Sequence, residues 1–243
     1  MRIALIQSNP LVGDLQGNRL RLQEQCLQAS EAGADLALAP ELALWGYPPR
    51  DLLLQPSLQQ QQDRQLQQLS EALPPGLGLL LGVVETNGQR LFNAMALVEN
   101  QGWQLVARKR LLPSYDVFDE QRYFHSGEQP ALLEWGDKHL GLTLCEDLWV
   151  EPKISGRSAP LCDPIAELQP LRPDLLINLS ASPFGQGKSE RRRQLAGAAQ
   201  ERLGCPVLYV NQVGGNDELI FDGNSFVLDA SGRLQLQLPC GES

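Results

Sequence analysis

The chain has only two histidines, His125 and His139, and that scarcity limits the chemistry it can perform. A Ser-His or Cys-His triad would have to draw on one of them. His139 directly precedes an apolar strand and reads as a strand-edge residue, while His125 follows Tyr123-Phe124 and reads as a loop residue. No G-x-S-x-G elbow and no P-loop occur, and two isolated histidines do not make a zinc site. The glycine pair in Val213-Gly214-Gly215-Asn216-Asp217 lacks the spacing of a dinucleotide fingerprint. Cys26, Cys145, Cys162, Cys205 and Cys240 are odd in number, widely spaced and without a C-x-x-C pair. Reduced thiols are therefore expected rather than a disulfide framework, and one of them could serve as a nucleophile.

A thiol without histidine needs another base. A carboxylate can serve when burial raises its pKa, and a nearby lysine can balance the charge and stabilise an oxyanion. Cys145, followed by Glu146-Asp147, ends one apolar run, Glu41 follows another, and Lys109 ends a third. Each also has a plain structural reading. A cysteine at the end of an apolar strand is commonly a small core residue, a glutamate after a strand a solvated loop carboxylate, and a lysine in Ala107-Arg-Lys-Arg a surface charge. The residues alone thus permit a Cys-Glu-Lys hydrolase without requiring one.

The elements that must position these residues follow from periodicity. Arg2 to Ser8 and Ala34 to Ala39 read as short buried strands, the second delivering Pro40-Glu41 at its end. Asn18 to Ala32 reads as a helix closed by Gly33, and the glutamine-rich Leu58 to Leu73 as an amphipathic helix stopped by Pro74-Pro75. Gly78 to Val84, Phe92 to Val98 and Trp103 to Ala107 read as consecutive strands, with Glu85 to Gln89 as a turn. Leu140 to Leu144, Asp174 to Leu179, Pro206 to Val210 and Ser225 to Leu228 are further strands, and a last hairpin turns at Ala230-Ser231-Gly232 before Leu234 to Leu238. Ser189 to Leu203 is a second strong helix. Strands alternate with helices early and late around a β-rich middle, which predicts an α/β layered fold without internal repeats. Glu41, Cys145 and Ser180 to Ser182 each follow a strand, where ligands of α/β sheets tend to sit.

Length and composition agree with this. The 243 residues suit one large domain or two small ones, and 42% of them are hydrophobic, enough for a substantial core. A net charge of −9, from 29 acidic and 20 basic residues, argues against nucleic-acid binding; Arg191-Arg192-Arg193 reads as one turn of an ordinary helix. No apolar run reaches the roughly 18 residues that span a bilayer, and the start turns polar too soon for a signal peptide, so a cytoplasmic location is expected.

Three stretches go further. Leu38 to Leu54 (LAPELALWGYPPRDLLL) surrounds Glu41, Arg108 to Phe124 (RKRLLPSYDVFDEQRYF) surrounds Lys109, and Gly141 to Trp149 (GLTLCEDLW) surrounds Cys145. With Asn178 to Lys188 (NLSASPFGQGK) and Tyr209 to Gly223 (YVNQVGGNDELIFDG), they resemble the nitrilase, or carbon–nitrogen hydrolase, superfamily. The particular likeness is to the glutaminase domain of glutamine-dependent NAD+ synthetases. It runs through nearly the whole chain as five ordered motifs. It implies a single domain over residues 1–243 with a four-layer α-β-β-α sandwich. It also implies Cys145 as nucleophile, Glu41 as general base and Lys109, three residues before Leu112, as the cation beside the oxyanion. A backbone N–H, that of Glu146, would be the second oxyanion donor. Glu120 corresponds either to a second glutamate near the lysine or to a loop salt-bridge partner. Tyr115, Trp149, Ser182 and Lys188 fall where the family lines its glutamine pocket, Lys188 suiting the substrate α-carboxylate.

The implied activity is hydrolysis of glutamine to glutamate and ammonia, with no cofactor or metal in the amidase reaction. Nothing in the chain matches the Ser-Gly-Gly-x-Asp-Ser-type loop of an ATP-using synthetase domain. The chain is thus expected to be the glutaminase part alone or a stand-alone relative, with such a domain as a partner and homo-oligomers as the family habit. Two other readings stay open: an amidase for another small amide or N-carbamoyl compound, and a non-catalytic interaction domain using Val213 to Gly223.

Overall fold

A computed structural model describes residues 1–156 and 158–243. The first sheet has the order β1 (Ile3–Leu5), β2 (Leu36–Leu38), β3 (Gly78–Asn87), β4 (Arg90–Glu99), β5 (Gly102–Arg108). The first three strands are parallel and the last two antiparallel. The second sheet contains β6 (Ala131–Trp135), β7 (Lys138–Leu144), β8 (Leu175–Ser180), β9 (Val207–Asn211), β12 (Phe226–Leu228) and β13 (Leu234–Gln237), in the spatial order β13-β12-β9-β8-β7-β6. Its centre, β7-β8-β9, is parallel. Between β9 and β12 the chain makes a separate hairpin of β10 (Val213–Asn216) and β11 (Leu219–Asp222).

Side-chain alternation sorts the core into three slabs. Leu36, Leu38, Leu80, Met95 and Leu97 of the first sheet meet Leu140, Leu142, Leu144, Ile177, Leu179 and Val210 of the second. The opposite face of the first sheet, including Leu79, Leu81, Ala94 and Ala96, packs on α1 (Leu15–Glu31) and α2 (Pro56–Ala72) through Leu15, Leu22, Leu66 and Leu69. The outer face of the second sheet, including Leu176, Val207 and Tyr209, packs on Ile165 and Leu168 of α4 (Pro164–Leu168) and on Leu195, Ala196 and Ala199 of α5 (Lys188–Leu203); the single turn α3 (Pro152–Ser155) lies in the loop before α4. The result is the four-layer α-β-β-α sandwich. No helix of the described residues is long and apolar enough to cross a membrane.

Several boundaries depart from the periodicity reading. The first two strands are three residues each, although flanking residues extend the pairing through single bonds such as Ile6 N–H to Leu38 O. Glu85 to Asn87 belong to β3 rather than to a turn; Asn87 pairs with Arg90, and the hairpin closes over Gly88-Gln89. There Gly88 adopts a φ of +62°, a left-handed conformation that costs glycine little. α1 begins at Leu15, capped by Asp14, whose carboxylate accepts the Gly17 N–H. β6 and the β10–β11 hairpin had no counterpart among the elements read from sequence.

Candidate active site

Glu41 leaves the first sheet just past β2. The Ala39 N–H donates to Leu80 O at 2.8 Å and the Gly82 N–H to Pro40 O at 3.0 Å, so this loop stays laced to β3. The approach is close enough that a Cβ on Gly82 would fall 2.0 Å from Leu42 N. Three donors orient the carboxylate: Asn93 Nδ2 at 2.7 Å and Lys109 Nζ at 2.6 Å on Oε1, and the Ala181 N–H at 2.9 Å on Oε2. The last comes from the loop after β8, so Glu41 joins the two sheets.

Lys109 follows the end of β5, and its N–H donates to the Asn93 carbonyl at 2.8 Å. Its ammonium is fully buried between Glu41 and Glu120 Oε1, 2.7 Å away. Burial alone would lower its pKa, but Glu120 and Glu41 outweigh that and hold it well above the usual lysine value. The flanking arginines point elsewhere. Arg108 pairs with Glu85 and stacks over Phe92, and Arg110 makes two hydrogen bonds to Glu167. Of the three adjacent cations, Lys109 is the one that meets Glu41 and Glu120.

Glu120 sits in a single 3-10 turn, Glu120–Arg122, whose placement brings it onto Lys109 and under the Tyr47 hydroxyl, which donates at 2.7 Å. Burial raises its pKa to about 7, against the opposing pull of Lys109. Glu120 is thus a buried ion-pair partner of Lys109, an arrangement that fits both readings left open for it. Its second oxygen, Oε2, has no hydrogen-bond partner among the described residues.

Cys145 begins the short turn Cys145–Leu148 directly after β7, at a φ of +41°. A non-glycine residue held there is strained, and such strain collects at functional sites. Burial and the charge of Glu41 push the thiol pKa up while Lys109 opposes them, so the resting thiol keeps its proton. The other buried thiols, Cys26 and Cys205, are raised chiefly by burial with no lysine opposing, to about 12 and about 11. Neither histidine joins the cluster: His125 packs beside Phe92, and His139 lies by Glu134 and Asp174.

The residues expected to bind substrate form two groups. Tyr115 donates to the Glu146 carboxylate at 2.9 Å, and both, with Trp149, line a cleft of about 560 Å³. Lys188 Nζ lies 5.5 Å from the Phe118 ring centroid and 5.8 Å from that of Trp149. Ser182 is buried deeper: its hydroxyl and carbonyl accept from Arg192, which also pairs with Asp222. A second cavity, about 340 Å³, has Tyr47, Phe118 and Glu120 in its wall. Cys145 lines neither, so the clefts flank the buried cluster rather than contain it.

Sequence reasoning passed over Asn93, Tyr47, Asp147, Arg192 and the Ala181 N–H. Each gains its role from a partner distant in the chain, as Asn93 does from Glu41; only the position of Asp147 two residues after Cys145 offered a signal. Among the described residues, no group of three or more His, Cys, Asp or Glu side chains is arranged to hold a metal ion.

Comparison with known proteins gives the arrangement a context. A family model described as carbon–nitrogen hydrolase matches residues 2–243. The glutamine-dependent NAD(+) synthetase of Synechocystis is 43% identical over 239 residues, covering 96% of this chain and 43% of that protein. The one from Thermotoga maritima is 38% identical over 237 residues, covering 96% and 39%. A structure of the glutamine-dependent NAD+ synthetase of Acinetobacter baumannii, in complex with ADP, matches with a TM-score of 0.88 at 34% identity, over 99% of this chain and 43% of that one. An amidase of the nitrilase superfamily from Nesterenkonia shares the fold at a TM-score of 0.81 and 24% identity, over 100% and 87%. The chain spans less than half the length of the synthetases it matches.

Proposed function

The chain belongs to the carbon–nitrogen hydrolase family, and on that footing we propose that it hydrolyses the side-chain amide of L-glutamine to glutamate and ammonia. The observation that carries the reading is the buried Glu41–Lys109–Glu120 cluster set against a strained, protonated Cys145.

Because burial and Glu41 disfavour a resting thiolate, the proton leaves Cys145 for Glu41 as the sulfur attacks the amide carbon. Lys109 has three N–H donors, two of them committed to Glu41 and Glu120; the third, with the Glu146 N–H, receives the oxyanion. Glu41 returns its proton to the nitrogen as the C–N bond breaks, and ammonia leaves. Water then adds to the thioester, losing its proton to Glu41; glutamate departs and the thiol is restored. Every proton in this cycle moves through Glu41, and no metal or cofactor enters.

The substrate assignment is supported by a carboxylate in the cleft wall and a lysine beside the Trp149 ring of that wall. The Glu146 carboxylate, held by Tyr115, suits an α-ammonium. Lys188, beside the Phe118 and Trp149 rings, suits an α-carboxylate, and the buried Ser182, held by Arg192, suits the polar α-carbon end. In the same reading the ammonia supplies an ATP-dependent NAD+ synthetase unit, either a further domain or a separate partner, the chain works in the cytoplasm, and it assembles as a homo-oligomer.

The test is intact mass after treatment with 6-diazo-5-oxo-L-norleucine, with and without excess glutamine, on the wild type and on Cys145→Ala. A single adduct that requires Cys145 and is blocked by glutamine supports both nucleophile and substrate. An adduct that glutamine does not block shifts the substrate to another small amide. A folded protein that takes no adduct argues for a non-catalytic domain.

A further inference from the structure

Cys145 and Lys109 belong to different sheets: the first follows β7, the second β5. No strand ladder fixes one against the other, and the slab between the sheets is apolar and non-directional. The two must nevertheless hold a fixed separation if one attacks a carbonyl and the other receives its oxygen.

Asp147 ties the backbone of the two segments directly. Its carboxylate is fully buried, and among the described residues no basic side chain forms an ion pair with it. Oδ2 accepts the N–H of Leu144, the residue before the nucleophile, at 3.0 Å. Oδ1 accepts the N–H groups of Arg110 and Leu111, the two residues after Lys109, at 3.0 and 2.8 Å. A buried carboxylate that meets only backbone donors spends its charge on geometry.

We infer that Asp147 is a positioning residue that locks the Cys145 turn to the Lys109 segment and so sets the distance between nucleophile and oxyanion cation. The inference rests on the roles proposed above for those two residues. Both carboxylate oxygens must accept, so an amide cannot stand in for the acid. In Asp147→Asn the new NH₂ would face either the Leu144 N–H or those of Arg110 and Leu111, donor against donor. The strain at Cys145 makes the tie more consequential, since a turn at a φ of +41° relaxes unless its surroundings over-determine it.

The experiment compares wild type, Asp147→Asn and, as control, Glu167→Gln, which removes the neighbouring Arg110 ion pair and leaves the three backbone bonds. Glutamine kcat and KM are measured, together with the rate of Cys145 carbamidomethylation by iodoacetamide, read by peptide mass. In Asp147→Asn, kcat is expected to fall on the order of 100-fold with KM nearly unchanged, while the control matches wild type. A folded Asp147→Asn that keeps its kcat and its alkylation rate, or that loses only KM, overturns the inference. If that variant fails to fold, hydrogen exchange on the wild type decides. The Leu144, Arg110 and Leu111 amides should exchange only through global opening, and exchange as fast as surface loops overturns the tie. A wild type that neither hydrolyses glutamine nor yields a reactive Cys145 defeats the functional reading instead, while exchange at the three amides still tests the tie.

Discussion

Asn93 holds Glu41 with its side chain and Lys109 with its backbone: its Nδ2 donates to Glu41 Oε1 at 2.7 Å, and its carbonyl accepts the Lys109 N–H at 2.8 Å. One residue of β4 thus sets Glu41 and Lys109 against each other. Asn93→Ala should leave Lys109 in place through the β5 ladder but release the base. Stability is expected to fall by about 1–2 kcal/mol, and kcat by about tenfold or more, with little change in KM. Urea denaturation and steady-state glutamine hydrolysis check both.

Removing the cation is more severe. Lys109→Met leaves Glu41 and Glu120 buried without their shared counter-ion. Breaking such a site costs about 3–5 kcal/mol, and amidase activity should vanish with it. Lys109→Arg should not rescue, because a fully buried ammonium pocket has no room for a guanidinium fork. Thermal melts of the two variants against wild type provide the comparison.

Gly82→Ala tests whether the Glu41 loop depends on close backbone approach. The added Cβ would meet Leu42 N at 2.0 Å and the Glu41 backbone at 2.5 Å, none of which is the end of a flexible side chain. Overpacking of this kind costs about 1–3 kcal/mol or more. The displaced carboxylate should cost activity beyond the loss of stability. A variant that is stable and fully active would show that the loop can shift without consequence.

Stability should depend on pH through Glu120. Its pKa is about 7 in the fold, above the 4.5 of an ordinary glutamate, so between those values the folded state binds more proton than the unfolded state. The sign is therefore negative: this group's contribution falls as pH rises from about 4.5 to about 7. Asp147, raised to about 6 from 3.8 by burial, acts in the same sense over a lower window. Glu120→Gln should flatten the upper part of the slope and leave the lower part. Chemical denaturation at pH 5, 6, 7 and 8 measures it, and an unchanged slope in the variant would be the contrary outcome.

Lys188→Met separates binding from chemistry. The lysine stands beside the Phe118 and Trp149 rings. KM for glutamine should rise by about tenfold or more with kcat nearly preserved. An amide without an α-carboxylate should show no such change. An equal loss on both substrates would assign Lys188 to the stability of the α5 N-terminus instead.

Local sequence, together with the family resemblance, was enough to nominate the candidate reactive residues. Cys145, Glu41 and Lys109 each lie in a short motif at the end of an apolar run, and apolar runs mark strands whatever the fold. Most of the strands and the three long helices were legible in the same way, because alternation and helical spacing are local properties. The short helices α3 and α4 were not, and neither were β6 and the β10–β11 hairpin. β6 escapes because its Ala131–Trp135 stretch mixes partial burial with an exposed Glu134, and the β10–β11 hairpin because its short strands are diluted by Gly214 and Gly215. How the site is held came from the packed fold. Asn93, Tyr47, Asp147 and Arg192 are ordinary residue types whose partners lie on other elements, so no window of sequence contains both ends of the bond. The same holds for the left-handed backbone at Cys145. A side chain's type and spacing can be read locally, whereas its direction and its hydrogen-bond partner exist only once two sheets have packed.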